Sequence, residues 1–277
     1  MKSIFDQIVE EFGAKTDVEH LNAVHEVMQQ FALAGLARGG FFEKAAFYGG
    51  TALHLFYGLP RFSEDMDFSL LKEEETFNFE DYFDAIRNEF SLAGKDVSVE
   101  LKHKAIHPTA IESAFLKETS AVFDLGFTTK KQVRVKLEID IKPPLKFVTE
   151  EKLLLQPSSC WVKVFALDCL LAGKVHAALF RAWRNRVKGR DWYDLEWYIR
   201  NGVACNLRHL AERTKATSHE SDLSSSEAVI EAFRSRIDSI DFELAKSDVR
   251  PFLKDVSSLN IWSREYFKAL VGQMKFV

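Results

Sequence analysis

Asp65 and Asp67, separated by one residue, are where chemistry can first be read from spacing in this chain. In an extended strand side chains alternate, so both carboxylates leave the same face a few ångströms apart. Such charges repel, and each raises the other's pKa unless a cation lies between them. Mg²⁺, or Mn²⁺ in its place, suits that position: a hard ion that takes oxygen ligands, commonly one or two carboxylates plus substrate phosphates. Surface strands also carry paired acids without chemical purpose, so the pair alone leaves a solvated strand face as its other meaning.

The preceding segment narrows the choice. Gly49 and Gly50 lack side chains, so their backbone N–H groups can approach a phosphate, and Thr51 opens a short apolar helix whose N-terminal amides favour anions. Arg61 and Ser63, just ahead of the acids, are candidate further phosphate contacts. A phosphate-presenting turn followed by a strand of paired carboxylates is a sensible metal-nucleotide site. Further along, Lys136-Leu137-Glu138-Ile139-Asp140 puts Glu138 and Asp140 on one strand face, as candidates for a third carboxylate. The alternative is an ordinary surface pair between Lys136 and Glu138.

Downstream, Leu167, Leu170, Leu171, Ala178 and Ala182 form an apolar helical stripe that contains Lys174 and, two turns on, Arg181. Lysine is seldom buried unless paired, so the stripe either faces a cleft or Lys174 snorkels to the surface. Asp191 and Asp194 follow in Gly189-Arg190-Asp191-Trp192-Tyr193-Asp194. A structural salt bridge from Asp191 to Lys174 or an arginine competes with a role in chemistry. Arg181, Arg184, Arg186, Lys188 and Arg190 put five cations into ten residues beside Trp183 and Trp192, which reads as a solvated helix end or as a nucleic-acid groove.

The elements that must position these groups can be read from periodicity. Ser3–Phe12 and Val18–Ala37 are spaced as helices, the second stopped at Arg38-Gly39-Gly40. Arg61–Leu70 alternates as a strand, Phe79–Leu92 reads as a helix, Val97–His103 as a second strand, and Val133–Ile141 is the cleanest strand, ended by Pro143-Pro144. From about Ala166 onward almost every segment is helical. The expectation is an α+β domain over residues 1–150 and a helical domain over residues 151–277 that closes a cleft, with a soft boundary near 145–160.

The chain of 277 residues has 47% hydrophobic and 28% charged residues, which fits a soluble globular protein. Its formal charge of −4 carries no global sign of nucleic-acid binding, although the relevant field is local. Cys160, Cys169 and Cys205 form no close pair, as expected of a reducing compartment. With no apolar run near bilayer length and no signal-peptide pattern, a cytoplasmic protein with no membrane partner is expected. His54 reads as a satisfied histidine; His20, His25, His103 and His107 show no metal-ligand pattern.

Tyr48-Gly49-Gly50-Thr51-Ala52-Leu53 followed by Arg61-Phe62-Ser63-Glu64-Asp65-Met66-Asp67-Phe68 resembles the signature of the AbiEii/AbiGii abortive-infection toxin family. These are nucleotidyltransferase-like proteins of the polymerase-β type and include the MenT toxins of mycobacteria. The resemblance implies transfer of a nucleoside monophosphate from an NTP to an acceptor, with release of pyrophosphate. It implies Gly49, Gly50, Thr51, Arg61 and Ser63 at the nucleotide, joined by Lys174 and Arg181, and metal held by Asp65, Asp67 and a later acid. The family's Lys-aliphatic-acid pattern favours Glu138 as that acid, with Asp140 second. Its Arg-Asp-x-x-Asp element favours Asp191 beside Lys174, with Asp194 in reserve. It further implies an RNA acceptor, for instance a tRNA 3′ end, and a cognate antitoxin. Two other readings stand beside it: a catalytically silent nucleotide- or RNA-binding module, and a transferase acting on a small molecule such as an aminoglycoside.

Overall fold

The computed structural model describes residues 2–74, 76–101, 120–127, 133–181, 187–217 and 221–277. The chain forms two compact units, each assembled from separate stretches. The first comprises Met1–Ala52, Glu64–Pro143 and Thr149–Val164; the second comprises Leu53–Ser63, Pro144–Val148 and Phe165–Val277.

The first unit opens with α1 (Ile4–Glu11) and α2 (Asp17–Arg38). The start of α2 is fixed by a reciprocal capping box between Thr16 and Glu19, and its end by Gly39. Then come β1 (Ala45–Tyr48), α3 (Gly49–Tyr57, of which residues 53–57 are counted with the second unit), β2 (Met66–Leu70), α4 (Phe83–Leu92), β3 (Ser98–Leu101), β4 (Ser120–Phe127), β5 (Val133–Asp140), β6 (Thr149–Leu154) and β7 (Cys160–Phe165). One mixed sheet carries the strands in the order β3-β4-β5-β2-β1-β7-β6. Its centre is the part that matters here: β2 runs antiparallel to β1 and parallel to β5. Phe41, Phe47 and Phe68 pack edge-on or tilted beside it, while Phe5, Phe31 and Phe90 join α1, α2 and α4. A Cβ added at Gly35 would stand 2.7 Å from the Ile86 Cα, so the absent side chain lets α2 and α4 approach.

The second unit holds α5 (Leu167–Phe180), α6 (Gly189–Arg200), β8 (Ala204–Cys205), α7 (Leu207–Ala216), α8 (Ser226–Asp238), α9 (Phe242–Val249), α10 (Arg264–Val271) and β9 (Lys275–Phe276). Its core is aromatic: Trp192 meets Phe233, Phe242 and Phe267, and Phe242 stacks on Phe267 with centroids 4.8 Å apart. A short parallel ribbon, β8 with β9, pairs Cys205 with Phe276.

The α+β class is as expected, and the segments differ in three places. The strand expected over Arg61–Leu70 begins only at Met66, because the preceding residues are held otherwise: Phe62 N–H donates to the Phe252 carbonyl, and Arg61 forms a lone bridge with Leu253. Residues 149–164, largely assigned to the helical half, form β6 and β7 at one edge of the sheet. The helical unit also takes in residues 53–63, from the middle of the α+β half, so a cut at 150/151 does not trace the two units. His103, His107 and the end of the strand expected at 97–103 lie outside the described residues, as do Trp183, Arg184 and Arg186. No described helix is long and apolar enough to cross a membrane.

Candidate active site: a carboxylate strand face and a buried ion network

In the first unit the turn and the acids are adjacent because β1 and β2 are paired. Tyr48 lies opposite Asp67, so the next residue, Gly49, falls against the Asp67 side chain. Gly49 has φ +84°, in the left-handed region. A Cβ added there would collide with the Asp67 carboxylate and come within 3.2 Å of its Cβ. Glycine is thus required at this position twice over.

Parallel pairing with β5 supplies the next acid. Asp67 lies opposite Glu138, and Ser69 opposite Asp140. Glu138 is therefore level with Asp67, and Asp140 is two residues, roughly 6–7 Å, further along the strand. The Asp140 carboxylate also accepts the Lys142 N–H at 3.1 Å. Glu138 forms an ion pair with Lys136 on the same strand. Burial alone would lower the Lys136 pKa, but that pair outweighs it and, with Asp65 and Asp67 adding, raises it.

Two side chains hold the backbone that delivers Asp65. The Thr51 hydroxyl, fully buried, donates to the Asp65 carbonyl. Gln29, fully buried on α2, donates from Nε2 to the Glu64 carbonyl at 3.0 Å. The Thr51 hydroxyl thus holds the backbone that leads into β2. His25, one turn before Gln29, is pushed below the usual histidine pKa by burial, opposed by the nearby Asp65 charge. Sequence reasoning missed both α2 residues; the available signal was a polar Gln29 among Val27, Met28 and Phe31, all core residues.

Among the described residues no three His, Cys, Asp or Glu side chains converge closely enough to cage an ion by themselves. Asp65 and Asp67 are both half-buried on the approach to and start of β2. A two-carboxylate site completed by phosphate oxygens fits this donor set and is the habit of Mg²⁺. Glu138, tied to Lys136, lies beside such a site.

The second unit contains a chain of charges. Arg61 Nε and Nη2 donate to the two oxygens of Asp194 at 2.6 and 2.7 Å, a bidentate pair with both side chains inaccessible. Lys174 reaches Asp194 at 2.8 Å and Asp191 at 2.7 Å, and Arg181 reaches Asp191 at 3.4 Å. Burial would raise both aspartates, but Arg61 and Lys174 hold Asp194 below the usual carboxylate range, and Lys174, Arg181 and Lys188 hold Asp191 further below it. Lys188 is pushed down to about 8, by burial first and then by Arg181.

Arg61 was expected at a phosphate and is instead 4% exposed, its fork committed to Asp194. Ser63 is also buried. Asp194, the reserve to Asp191, is the hub of the network, and both acids hold Lys174. Trp192 is core, so it offers no face to a nucleic-acid base, and Arg190 lies over the Phe252 ring at 4.1 Å. His54 is satisfied by the Leu59 carbonyl at 2.8 Å.

Solved structures share this fold. The nucleotidyltransferase toxin MenT4 from Mycobacterium tuberculosis H37Rv is 13% identical with a TM-score of 0.56, over 96% of this chain and 88% of that one. JHP933 from Helicobacter pylori is 19% identical with a TM-score of 0.54, over 91% and 88%. No curated protein matches the chain significantly. The profile described as "Nucleotidyl transferase AbiEii toxin, Type IV TA system" matches residues 32–272. The chain therefore belongs to the AbiEii nucleotidyltransferase toxin family, and is a nucleotidyltransferase.

Proposed function

We propose that this enzyme transfers a nucleoside monophosphate from an NTP to an RNA hydroxyl, with a tRNA 3′ end as the first acceptor to test, and depends on Mg²⁺ or Mn²⁺ bound at Asp65 and Asp67. A cytoplasmic toxin silenced by a cognate antitoxin is part of the same reading, supported by the family. The observation that carries the chemistry is the placing of Asp67 between Gly49 on β1's exit and Glu138 on β5.

In the reaction the acceptor oxygen attacks the α-phosphorus, the bond from that phosphorus to the bridging oxygen breaks, and pyrophosphate leaves. A bound divalent ion supplies charge neutralisation at the attacking and leaving oxygens. Gly49, Gly50 and Thr51 present backbone N–H groups to the phosphates. Glu138, level with Asp67, accepts the acceptor's proton or completes the ion's ligands; Asp140 is its substitute. In the second unit Lys174 and Arg181 are assigned to phosphate charge. Asp191 and Asp194 orient Lys174, and Arg61 acts through Asp194.

The test is incubation with labelled NTP and total RNA, with Mg²⁺ and with chelator. Label should enter RNA only with the metal, and Asp65→Ala or Asp67→Ala should remove it. Metal-dependent NTP binding with no pyrophosphate release would assign the chain to a silent binding module, and labelling of an aminoglycoside in place of RNA would move the acceptor to a small molecule.

A further inference from the structure

The second unit contains a recess that adjoins Arg181 and Asp191 and adds two cations with no role in the proposed transfer, Lys188 and Arg236. It lies where α5 ends, α6 begins and α8 passes, with about 110 Å³ of free space. A water needs only ~10–15 Å³ on that scale, so a group the size of phosphate is accommodated. Its walls include Arg181, Lys188, Arg236, Asp191, Trp192 and Ser239. We propose that this recess binds a phosphate group, with Lys188 and Arg236 as its principal contacts.

The charge is the argument. Among the described residues three cations and one acid line the recess, and Asp191 is already engaged by Lys174 at 2.7 Å. Among the described residues neither Lys188 nor Arg236 forms an ion pair, and Arg181 has only the 3.4 Å approach to Asp191. Burial with no carboxylate partner lowers the Arg236 pKa, and burial with like-charged neighbours lowers that of Lys188. A bound anion relieves both.

Geometry supplies the fit. Arg236 is fixed in place, its Nη2 donating to the Arg181 carbonyl at 2.9 Å and its Nε to the Ala178 carbonyl at 3.4 Å. A third donor, on Nη1, meets the Ser239 hydroxyl at 3.5 Å, which leaves two of a guanidinium's five N–H groups for a ligand. A rigid fork beside an ammonium matches phosphate oxygens. Lys188 is the N-cap of the 12-residue α6, whose first amide, Gly189 N–H, is already taken by the Asp248 carboxylate at 3.0 Å, so the Lys188 ammonium and not the helix end carries the charge here.

The phosphate has two possible sources: the tail of the NTP with its pyrophosphate product, or the backbone of the acceptor strand. That choice rests on the proposed activity; the anion site does not. The experiment is calorimetric titration at pH 7 and low salt, without divalent metal or NTP. Inorganic pyrophosphate and a short RNA lacking terminal phosphates are titrated into wild type, Lys188→Gln, Arg236→Gln and the control Lys254→Gln.

Lys188→Gln should weaken binding about tenfold, the worth of one charge-assisted contact, and Lys254→Gln should not. Weakening for pyrophosphate alone names the NTP tail or product as source; weakening that includes RNA names the acceptor backbone. Arg236 also caps α5, so Lys188→Gln, which breaks no hydrogen bond among the described residues, is the deciding variant. Wild-type affinity for both ligands in Lys188→Gln, or no binding by wild type, overturns the site. Asp65→Ala run in parallel keeps the anion site, so loss of the metal-site reading and loss of this one are told apart.

Discussion

Gly49, at φ +84°, leaves empty the space that the Asp67 side chain fills. The glycine turn and the acid strand are therefore one packed object, because β1 pairs with β2 and leaves no room for a methyl group between them. Gly49→Ala forces the left-handed region on an alanine and drives its Cβ into the carboxylate. The expected outcome is a loss of about 1–3 kcal/mol in unfolding stability, with transfer activity reduced by more than that loss of folded protein explains. Urea unfolding beside an activity assay on the folded fraction separates the two.

Asp65 and Asp67 stand on the polar face of the sheet's centre, and neither is buried in the core. Asp65→Ala and Asp67→Ala should leave the melting temperature within a few degrees of wild type while transfer falls below detection. Normal activity in either variant would remove the proposed metal site.

Thr51 and Gln29 hold successive carbonyls, those of Asp65 and Glu64. Their loss should loosen the aim of Asp65 without touching the nucleotide. Thr51→Val and Gln29→Leu each remove a part-buried hydrogen bond and should cost about 0.5–1.5 kcal/mol. The further expectation is a severalfold rise in the Mg²⁺ concentration for half-maximal rate at unchanged KM for NTP. A uniform loss of rate at every Mg²⁺ concentration would reduce both residues to fold support.

These relationships differ in how far they can be read from spacing. β5 was plain because Val133, Val135, Leu137 and Ile139 alternate with polar residues and are all buried. β6 was missed because Glu150, Glu151 and Lys152 make Thr149–Leu154 look like a loop, although charge is ordinary on an edge strand. Arg61 was misread for a different reason. Its partner is Asp194, 133 residues away, and nothing local distinguishes a committed guanidinium from one awaiting a phosphate. Asp194 was ranked below Asp191 for the same cause: its benefit comes from Arg61 and Lys174, neither of which is its sequence neighbour. Arg236 stood in no motif at all.

Asp194 carries the heaviest structural consequence. With its carboxylate fully buried, it neutralises Arg61 and shares Lys174 with Asp191. Asp194→Asn leaves the Arg61 guanidinium buried beside a neutral amide, and breaking such a pair costs about 3–5 kcal/mol. Asp191→Asn should be milder, because Lys174 keeps Asp194 and Arg181 is half exposed. Thermal unfolding of the two variants checks the order; equal destabilisation would mean that Asp194 is not the hub.

The pH dependence of anion binding follows from Lys188. In the free protein its pKa is pushed down to about 8, below the ordinary 10.5, by burial and then by Arg181, with Lys174 and Arg190 adding and Asp191 opposing. Arg236 faces the same recess from α8. The folded-state value is depressed for a base, so folding favours the neutral amine. The cost of its charge to stability is absent above about pH 10.5, grows as pH falls toward 8, and is constant below. A phosphate reverses that preference by stabilising the ammonium. Pyrophosphate affinity relative to Lys188→Gln at the same pH, which cancels the ligand's own ionisation, should therefore fall as pH rises through about 8, and wild type should take up more protons on binding than the variant in that window. Calorimetry in two buffers of different ionisation enthalpy measures the proton directly. An unchanged pH profile in that variant would assign the titration to another group.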